Sequence, residues 1–348
     1  MSYFFPSPIT KKDLSFSKND DYDSIFNYNF LGGKEALKLL LQSNVKKGDK
    51  VVVPSFVCNS VLAPVLELEC LPIMMDLLGN ETFITNYDVE KMYGAKAVIL
   101  VHLYGETHPQ TASIVSWCEK NDVLLINDFA QSFSLDLLKS NLSNIIISFG
   151  PGKSSSAACG GVLINLKSTK EISKRNNSFL AELVVKLKSV NYFNKRIYGE
   201  GLLEGILDKI GFKLYSIFIK DSSCFQMSKY QKRMAFVLLN NFERYSFLRL
   251  NRWNIIKSSF TENKNFIILN NTVGEKFKLL LFCRSENEFS KYLEINKIPF
   301  FRLFKKTQTT KLPFFNKNAH YMFELSIESS IDDNEINRVV SLLKLFKK

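Results

Sequence analysis

Val123-Leu124-Leu125-Ile126-Asn127-Asp128 is an apolar run of strand length that closes on a polar pair. Its neighbours repeat the arrangement. Upstream, residues 111–121 carry apolar side chains at helical spacing, and 97–103 form a strand leading into His102-Leu103-Tyr104-Gly105. Downstream, 144–148 is another strand, followed by Phe149-Gly150-Pro151-Gly152-Lys153, and Gly160-Gly161 leads into a further strand at 162–165. Toward the N-terminus, Gly32-Gly33 opens a helix over 34–43, with Ala36, Leu37, Leu40 and Leu41 on one face. Lys47-Gly48-Asp49 is a turn, Val51-Val52-Val53 a buried strand stopped by Pro54, and 73–76 the next strand. Residues 59–68 can form a helix if Pro64 sits in its early part. Repeated strand-then-helix order predicts an α/β fold, a mostly parallel sheet with helices on both faces. Sites in such sheets lie at the carboxyl ends of strands, which is where Asp128, His102 and Lys153 fall.

The rhythm breaks over 166–222, a peripheral helical segment rich in basic and aromatic residues. From Met227 a long helix is expected, with Tyr230, Met234, Val237, Leu238, Asn241 and Tyr245 along it and Arg249 and Arg252 near its end. Strands at 277–283 and 320–327 and helices at 286–296 and 332–346 complete an α+β pattern. The expected division is a large cofactor-binding α/β domain over 1–225 and a small C-terminal α+β domain over 226–348.

At 348 residues, 46% hydrophobic and 23% charged, the chain has the balance of a folded protein. No stretch approaches eighteen uninterrupted apolar residues, and residues 1–14 lack the basic-then-apolar order of a secretion signal, so a cytoplasmic location is expected. Cys58, Cys70, Cys118, Cys159, Cys224 and Cys283 contain no C-x-x-C pair and read as reduced thiols. The three histidines have no metal-ligand spacing, and no metal site is expected.

The net charge is +12, and 167–220 holds half of it, eleven Lys/Arg against five Asp/Glu. Such an excess suits nucleic acid, anionic lipid or phosphorylated small molecules, and solvated lysines of a Lys-rich composition account for it equally well. The mixture of Tyr192, Phe193, Tyr198, Phe212, Tyr215 and Phe218 with lysines would suit a membrane surface. It suits a helix packing its aromatics on the sheet better. Neither nucleic acid nor membrane is the expected partner.

Gly150-Pro151-Gly152-Lys153-Ser154 is not a nucleotide-binding P-loop: the glycine needed five residues before Gly152 is Ile147, and Pro151 removes a backbone N–H. G-x-S-x-G is absent, as is G-x-G-x-x-G after the first strand. A lysine at a strand-to-loop junction between glycines suits a different chemistry. Partly desolvated, it becomes an amine nucleophile for carbonyl compounds, the usual anchor of pyridoxal phosphate. That cofactor also needs an acid at its ring nitrogen, for which Asp128 is placed, and a helix start with a hydroxyl for its phosphate, for which Gly33-Lys34 and Ser148 are placed.

The succession of phrases resembles the DegT/DnrJ/StrS family of sugar aminotransferases, pyridoxal-phosphate enzymes of fold type I. The matching phrases are Gly33-Lys34-Glu35-Ala36-Leu37, Lys47-Gly48-Asp49-Lys50-Val51-Val52-Val53-Pro54-Ser55-Phe56, Pro72-Ile73-Met74-Met75-Asp76 and Val101-His102-Leu103-Tyr104-Gly105. The two most specific are Asn127-Asp128-Phe129-Ala130-Gln131-Ser132 and Ser148-Phe149-Gly150-Pro151-Gly152-Lys153 with the later Gly160-Gly161. A weaker echo runs from Met227-Ser228 through the long helix.

The resemblance implies a three-layer sandwich and gives residues their roles. Lys153 joins covalently to the cofactor's aldehyde, Asp128 faces the pyridine nitrogen, and Gln131 reaches the ring hydroxyl or phosphate side. Ser148 and the backbone at Gly33-Lys34 hold the phosphate, and Ala130 packs on a ring face. His102, on the neighbouring strand end, is equally a packed histidine or a cofactor contact. The family's ring-stacking aromatic falls on Cys58, two residues from Phe56, and its cross-subunit Asn and Arg fall on Cys224 and Gln226. The implied activity moves an amino group from an amino acid, glutamate being expected, to a nucleotide-linked keto-sugar for cell-surface polysaccharide or lipopolysaccharide assembly, by a homodimer. A small non-sugar keto acceptor, or lost activity, is the alternative these departures leave open; a basic binding protein is the other.

Overall fold

Val51, Val52 and Val53 are wholly buried, and the strand they form is paired on both sides. The computed structural model describes residues 20–150, 152–157, 160–167, 226–259, 265–269, 277–298, 300–302, 321–326 and 333–346. The expected features at 1–14, nearly all of the basic segment 166–222, Pro151, Cys159 and Cys224 lie outside the described residues. Strands β1 (Asn29–Phe30), β2 (Lys50–Pro54), β3 (Leu71–Met75), β4 (Ala95–Val101), β5 (Leu124–Asp128), β6 (Ile145–Ser148) and β7 (Gly161–Ile164) form a sheet in the order β1-β7-β6-β5-β4-β2-β3. β2 runs parallel to β3 and β4, and β5 parallel to β6. β7 lies antiparallel to β6, and β1 to β7. The parallel part is what the strand-then-helix order predicts. The antiparallel edge follows because no helix stands among the described residues between Ser148 and Gly161, and a parallel return needs a crossover connection.

The described residues group into two compact units, those within Met1–Asn44 and Ile126–Tyr245 and those within Val45–Leu125 and Ser246–Lys348. In the first, α1 (Gly33–Asn44) buries Ala36, Leu37, Leu40 and Leu41 as the spacing predicts, and Leu39 besides. Each fully buried leucine contributes roughly 1.5–3 kcal/mol. The two-residue period of β6 sends its side chains to opposite faces. Ile145 and Ile147 join Phe26, Phe133, Met227 and Leu238 in one core, while Ile146 and Ser148 meet the start of α1.

The long helix expected from Met227 is two helices. A capping box starts α5 (Lys229–Asn240): Ser228 Oγ accepts the Gln231 N–H at 3.2 Å, and Gln231 Oε1 accepts the Ser228 N–H at 2.9 Å. Asn241 ends it, donating from Nδ2 to the Val237 carbonyl at 2.9 Å, and α6 (Phe242–Ser259) restarts at once. A short amide that satisfies a terminal carbonyl interrupts a helix whose apolar spacing runs on regardless.

In the second unit α2 (Asn59–Glu67), α3 (Val89–Met92) and α4 (Thr111–Lys120) connect the strands. Pro64 is the sixth of nine residues in α2, later than expected, and costs that short helix one N–H. A second, antiparallel sheet has β8 (Ile267–Ile268), β9 (Lys278–Phe282), β10 (Phe301–Arg302) and β11 (Met322–Ser326) in the order β10-β11-β9-β8. Helices α7 (Glu286–Ile295) and α8 (Asp333–Leu345) complete the unit. Leu279 and Leu281 pack with Phe289 and Leu343, whereas Leu280 and Phe282 pack with Phe56, Phe83 and Tyr104. Burial on both faces explains why 279–283 reads as one unbroken apolar run.

Candidate active site

Asp128 is the last residue of β5 and is buried. Its Oδ1 accepts the Ala130 N–H at 2.9 Å, which bends the chain sharply after the strand. Burial pushes its carboxyl above the ordinary value, opposed by the Ala130 hydrogen bond and by the positive charge of Lys153. Lys153 therefore lies within electrostatic reach of Asp128, on the loop that follows β6. A strand-end residue and a loop residue, 25 positions apart in sequence, thus come near each other beyond the carboxyl ends of adjacent strands.

The loop carrying Lys153 is stitched to the end of β6. Ser155 Oγ donates to the Ser148 carbonyl at 2.8 Å, and the Ala157 N–H donates to the Phe149 carbonyl at 3.1 Å. Gly152 takes φ +70°, a left-handed turn that suits glycine, and the Ser156 N–H closes onto the Lys153 carbonyl at 3.1 Å. Ser148 Oγ accepts the Gly150 N–H at 3.3 Å, leaving its own proton available to another acceptor.

Beside it, α1 begins at Gly33, where a Cβ would stand 3.1 Å from the Ser148 Cβ. Gly161 is tighter still: a Cβ would lie 2.6 Å from the Gly32 carbonyl carbon and 2.6 Å from the Gly33 nitrogen. The glycine pair at 160–161 thus lets β7 run against the start of α1. Gly161→Ala is expected to lower stability by about 1–3 kcal/mol or more, because both clashing atoms are backbone; equilibrium denaturation of the cofactor-free protein checks it. Glu35, buried in the first turn, folds its carboxylate back over Gly32, where a Cβ would sit 2.7 Å from Oε2. That charge suits the positive end of α1 and opposes a second anion there.

Other residues named from sequence occupy varied settings. Ala130 and Gln131 follow Asp128, both half-buried, and Gln131 Oε1 is buried with no hydrogen-bond partner among the described residues. Lys34 is half-buried in the first turn of α1. His102 directly follows β4 and is wholly buried; its Nδ1 accepts the His108 N–H at 3.0 Å, so its ring proton sits on Nε2. His108 Nε2 donates to the Thr85 carbonyl at 3.0 Å, its Nδ1 accepting the Gln110 N–H, and burial lowers its pKa to about 4, against the bond to Thr85. Cys58 is exposed at the N-cap of α2. Phe56 turns instead into the cluster with Phe83 and Tyr104. Gln226 is half-buried beside Met227, whose side chain fills the space over Gly160. Among the described residues no group of three or more His, Cys, Asp or Glu is arranged to hold a metal, and no helix is long and apolar enough to cross a membrane.

Sequence reasoning missed Glu35, the contact role of Gly161 and the buried serines after Lys153. Ser154, Ser155 and Ser156 are all wholly buried.

The model of the DegT/DnrJ/EryC1/StrS aminotransferase family matches residues 30–344 of the 348. The chain belongs to that family. Its members are pyridoxal-phosphate-dependent aminotransferases of fold type I. A GDP-perosamine synthase of Vibrio cholerae is 27% identical over 103 residues, which is 29% of this chain and 28% of that protein's length. The sugar aminotransferase CalS13 of Micromonospora echinospora superposes with a TM-score of 0.64 at 12% identity, covering 93% of this chain and 89% of CalS13. NtdA of Bacillus subtilis with bound cofactor PMP superposes with a TM-score of 0.66 at 16% identity, covering 97% of this chain and 82% of NtdA. Both structures share the fold.

The residues present fit the family's cofactor. A buried carboxylate above its ordinary pKa needs a cationic partner, which a protonated pyridine nitrogen supplies. Gln131 Oε1 is a buried acceptor in want of a donor such as the ring hydroxyl. The close approach of Gly33 to Ser148 makes a narrow cradle at a helix start, where a phosphate group binds readily.

Proposed function

We propose that the protein moves an amino group from glutamate to a nucleotide-linked keto-sugar in the assembly of cell-surface polysaccharide. Family membership supports amino transfer, and the relatives named as sugar enzymes support the acceptor class. The observation that carries the assignment of residues is Lys153 within electrostatic reach of the buried Asp128.

When bound, pyridoxal phosphate supplies an electron sink for the substrate carbon. Lys153 holds it through its amine and, once released, takes the proton from the donor's α-carbon at Nζ, being the base tethered nearest to it. The same Nζ returns a proton in each half of the exchange. Asp128 keeps the ring nitrogen protonated, Gln131 Oε1 accepts from the ring hydroxyl, and Ala130 packs on a ring face. Ser148 Oγ and the N–H groups at Gly33-Lys34 hold the phosphate. Cys58 and His102 stay among the cofactor residues on the strength of the sequence alone, as do the homodimer and the division at 225/226. Lys278 and Glu324, 2.6 Å apart and both buried, sit with Tyr104 on one face of the second sheet.

Titrating the purified protein, loaded with cofactor, with glutamate tests the reading. The visible band of the lysine-bound cofactor is expected to disappear, and to return when a nucleotide-linked keto-sugar is added. A band that glutamate leaves unchanged overturns the donor. Recovery with small keto acids but with none of the nucleotide-linked sugars overturns the acceptor.

A further inference from the structure

The hydroxyl of Ser156 is unexplained by the fold. The residue is wholly buried, yet its Oγ has no hydrogen-bond partner among the described residues. Leaving a buried hydroxyl unpaired is costly, and such groups concentrate where a ligand completes the bond. Its setting is specific. The Ser156 N–H closes a turn on the carbonyl of Lys153, while the adjacent Ser155 Oγ donates to the Ser148 carbonyl and the Ala157 N–H to the Phe149 carbonyl. The turn is thereby fastened to the end of β6 that carries Ser148, the same strand end that meets the start of α1 at Gly33. Gln131, the other orphaned acceptor near this site, lies instead on the loop after Asp128.

We propose that Ser156 is a further cofactor-binding residue, its hydroxyl donating to the phosphate group from the Ser148 side. This rests on the pyridoxal-phosphate reading above and deepens it. A phosphate offers three acceptor oxygens, and Ser148 with the first turn of α1 engages them from one direction. The loop after Lys153 borders that strand end and brings a hydroxyl with no partner among the described residues. The bond makes the phosphate, not the ring, the beneficiary of Ser156.

Dissociation constants of pyridoxal phosphate and of pyridoxal, which lacks the phosphate, are measured for the wild type and for Ser156→Ala, with melting temperatures of the cofactor-free proteins. The variant is expected to bind pyridoxal phosphate about ten- to a hundred-fold more weakly, the worth of one hydrogen bond to a charged group, and pyridoxal equally well. Without cofactor it is expected to melt at the same temperature or higher, since an unpaired hydroxyl has been removed. Equal weakening for both ligands, or no weakening, overturns the proposal. So does a lower melting temperature in Ser156→Ala, which would make the hydroxyl structural; Ser156→Cys, close in size, is read by the same two ligands if the alanine variant does not fold. A wild type that binds neither ligand instead sinks the pyridoxal-phosphate reading itself, and this one with it.

Discussion

Lys153→Ala is expected to bind pyridoxal phosphate without developing the visible band of the lysine-bound cofactor, and to turn over at least ~10³-fold more slowly. Two losses combine in that variant. The amine that joins the cofactor is gone, and so is the base that moves the proton at the donor's α-carbon. Arginine at 153 is not expected to substitute, because its guanidinium stays protonated. An added primary amine, small enough to enter the space left by the side chain, is expected to restore part of the rate in the alanine variant and none in the wild type. Absorbance spectra beside single-turnover rates with glutamate make the measurement. A full visible band in Lys153→Ala would mean that another lysine carries the cofactor.

Asp128→Asn is expected to cost about 10²–10⁴-fold in turnover, the range for losing a preorganised charge partner, while leaving the visible band in place. Asparagine keeps the size and the bond to the Ala130 N–H but cannot hold a proton on the ring nitrogen. A second consequence concerns stability without cofactor. Burial raises the Asp128 pKa in the folded chain above its unfolded value, with Ala130 and Lys153 working the other way. A carboxyl raised in this way stabilises the fold below the unfolded value, near about 4, and that contribution is lost as pH climbs through the folded value. The cofactor-free wild type is therefore expected to lose stability on raising the pH just above the ordinary carboxylate range, and Asp128→Asn to show less of that slope. Denaturant midpoints across that window decide it. Identical slopes in the two proteins would show that Asp128 is not desolvated without its partner.

Much of the fold and part of the site can be read from residue order. β2, β5 and β6 announce themselves as short apolar runs because strands buried on both faces need no polar alternation. α1 shows its buried stripe at Ala36, Leu37, Leu40 and Leu41 because helical period is local. Asp128 and Lys153 stand out for the same reason: one closes such a run and the other lies on the short loop after the next. Other features escape a local reading. Asn241 splits the long helix by a single side-chain hydrogen bond, which apolar spacing does not register. Phe56 joins the cluster with Phe83 and Tyr104, a choice made by partners that lie far along the chain.

Sequence by itself determined the strand-and-helix order, the family phrases and the two residues most able to do the chemistry. Those depend on local period and on residue identity. Tertiary structure alone decided that Asp128 and Lys153 feel each other's charge, that Gly161 must be bare so that β7 can touch the start of α1, and that three consecutive serines are buried. Electrostatics, steric exclusion and desolvation act between atoms close in space, and proximity across adjacent strands is not written in any one segment.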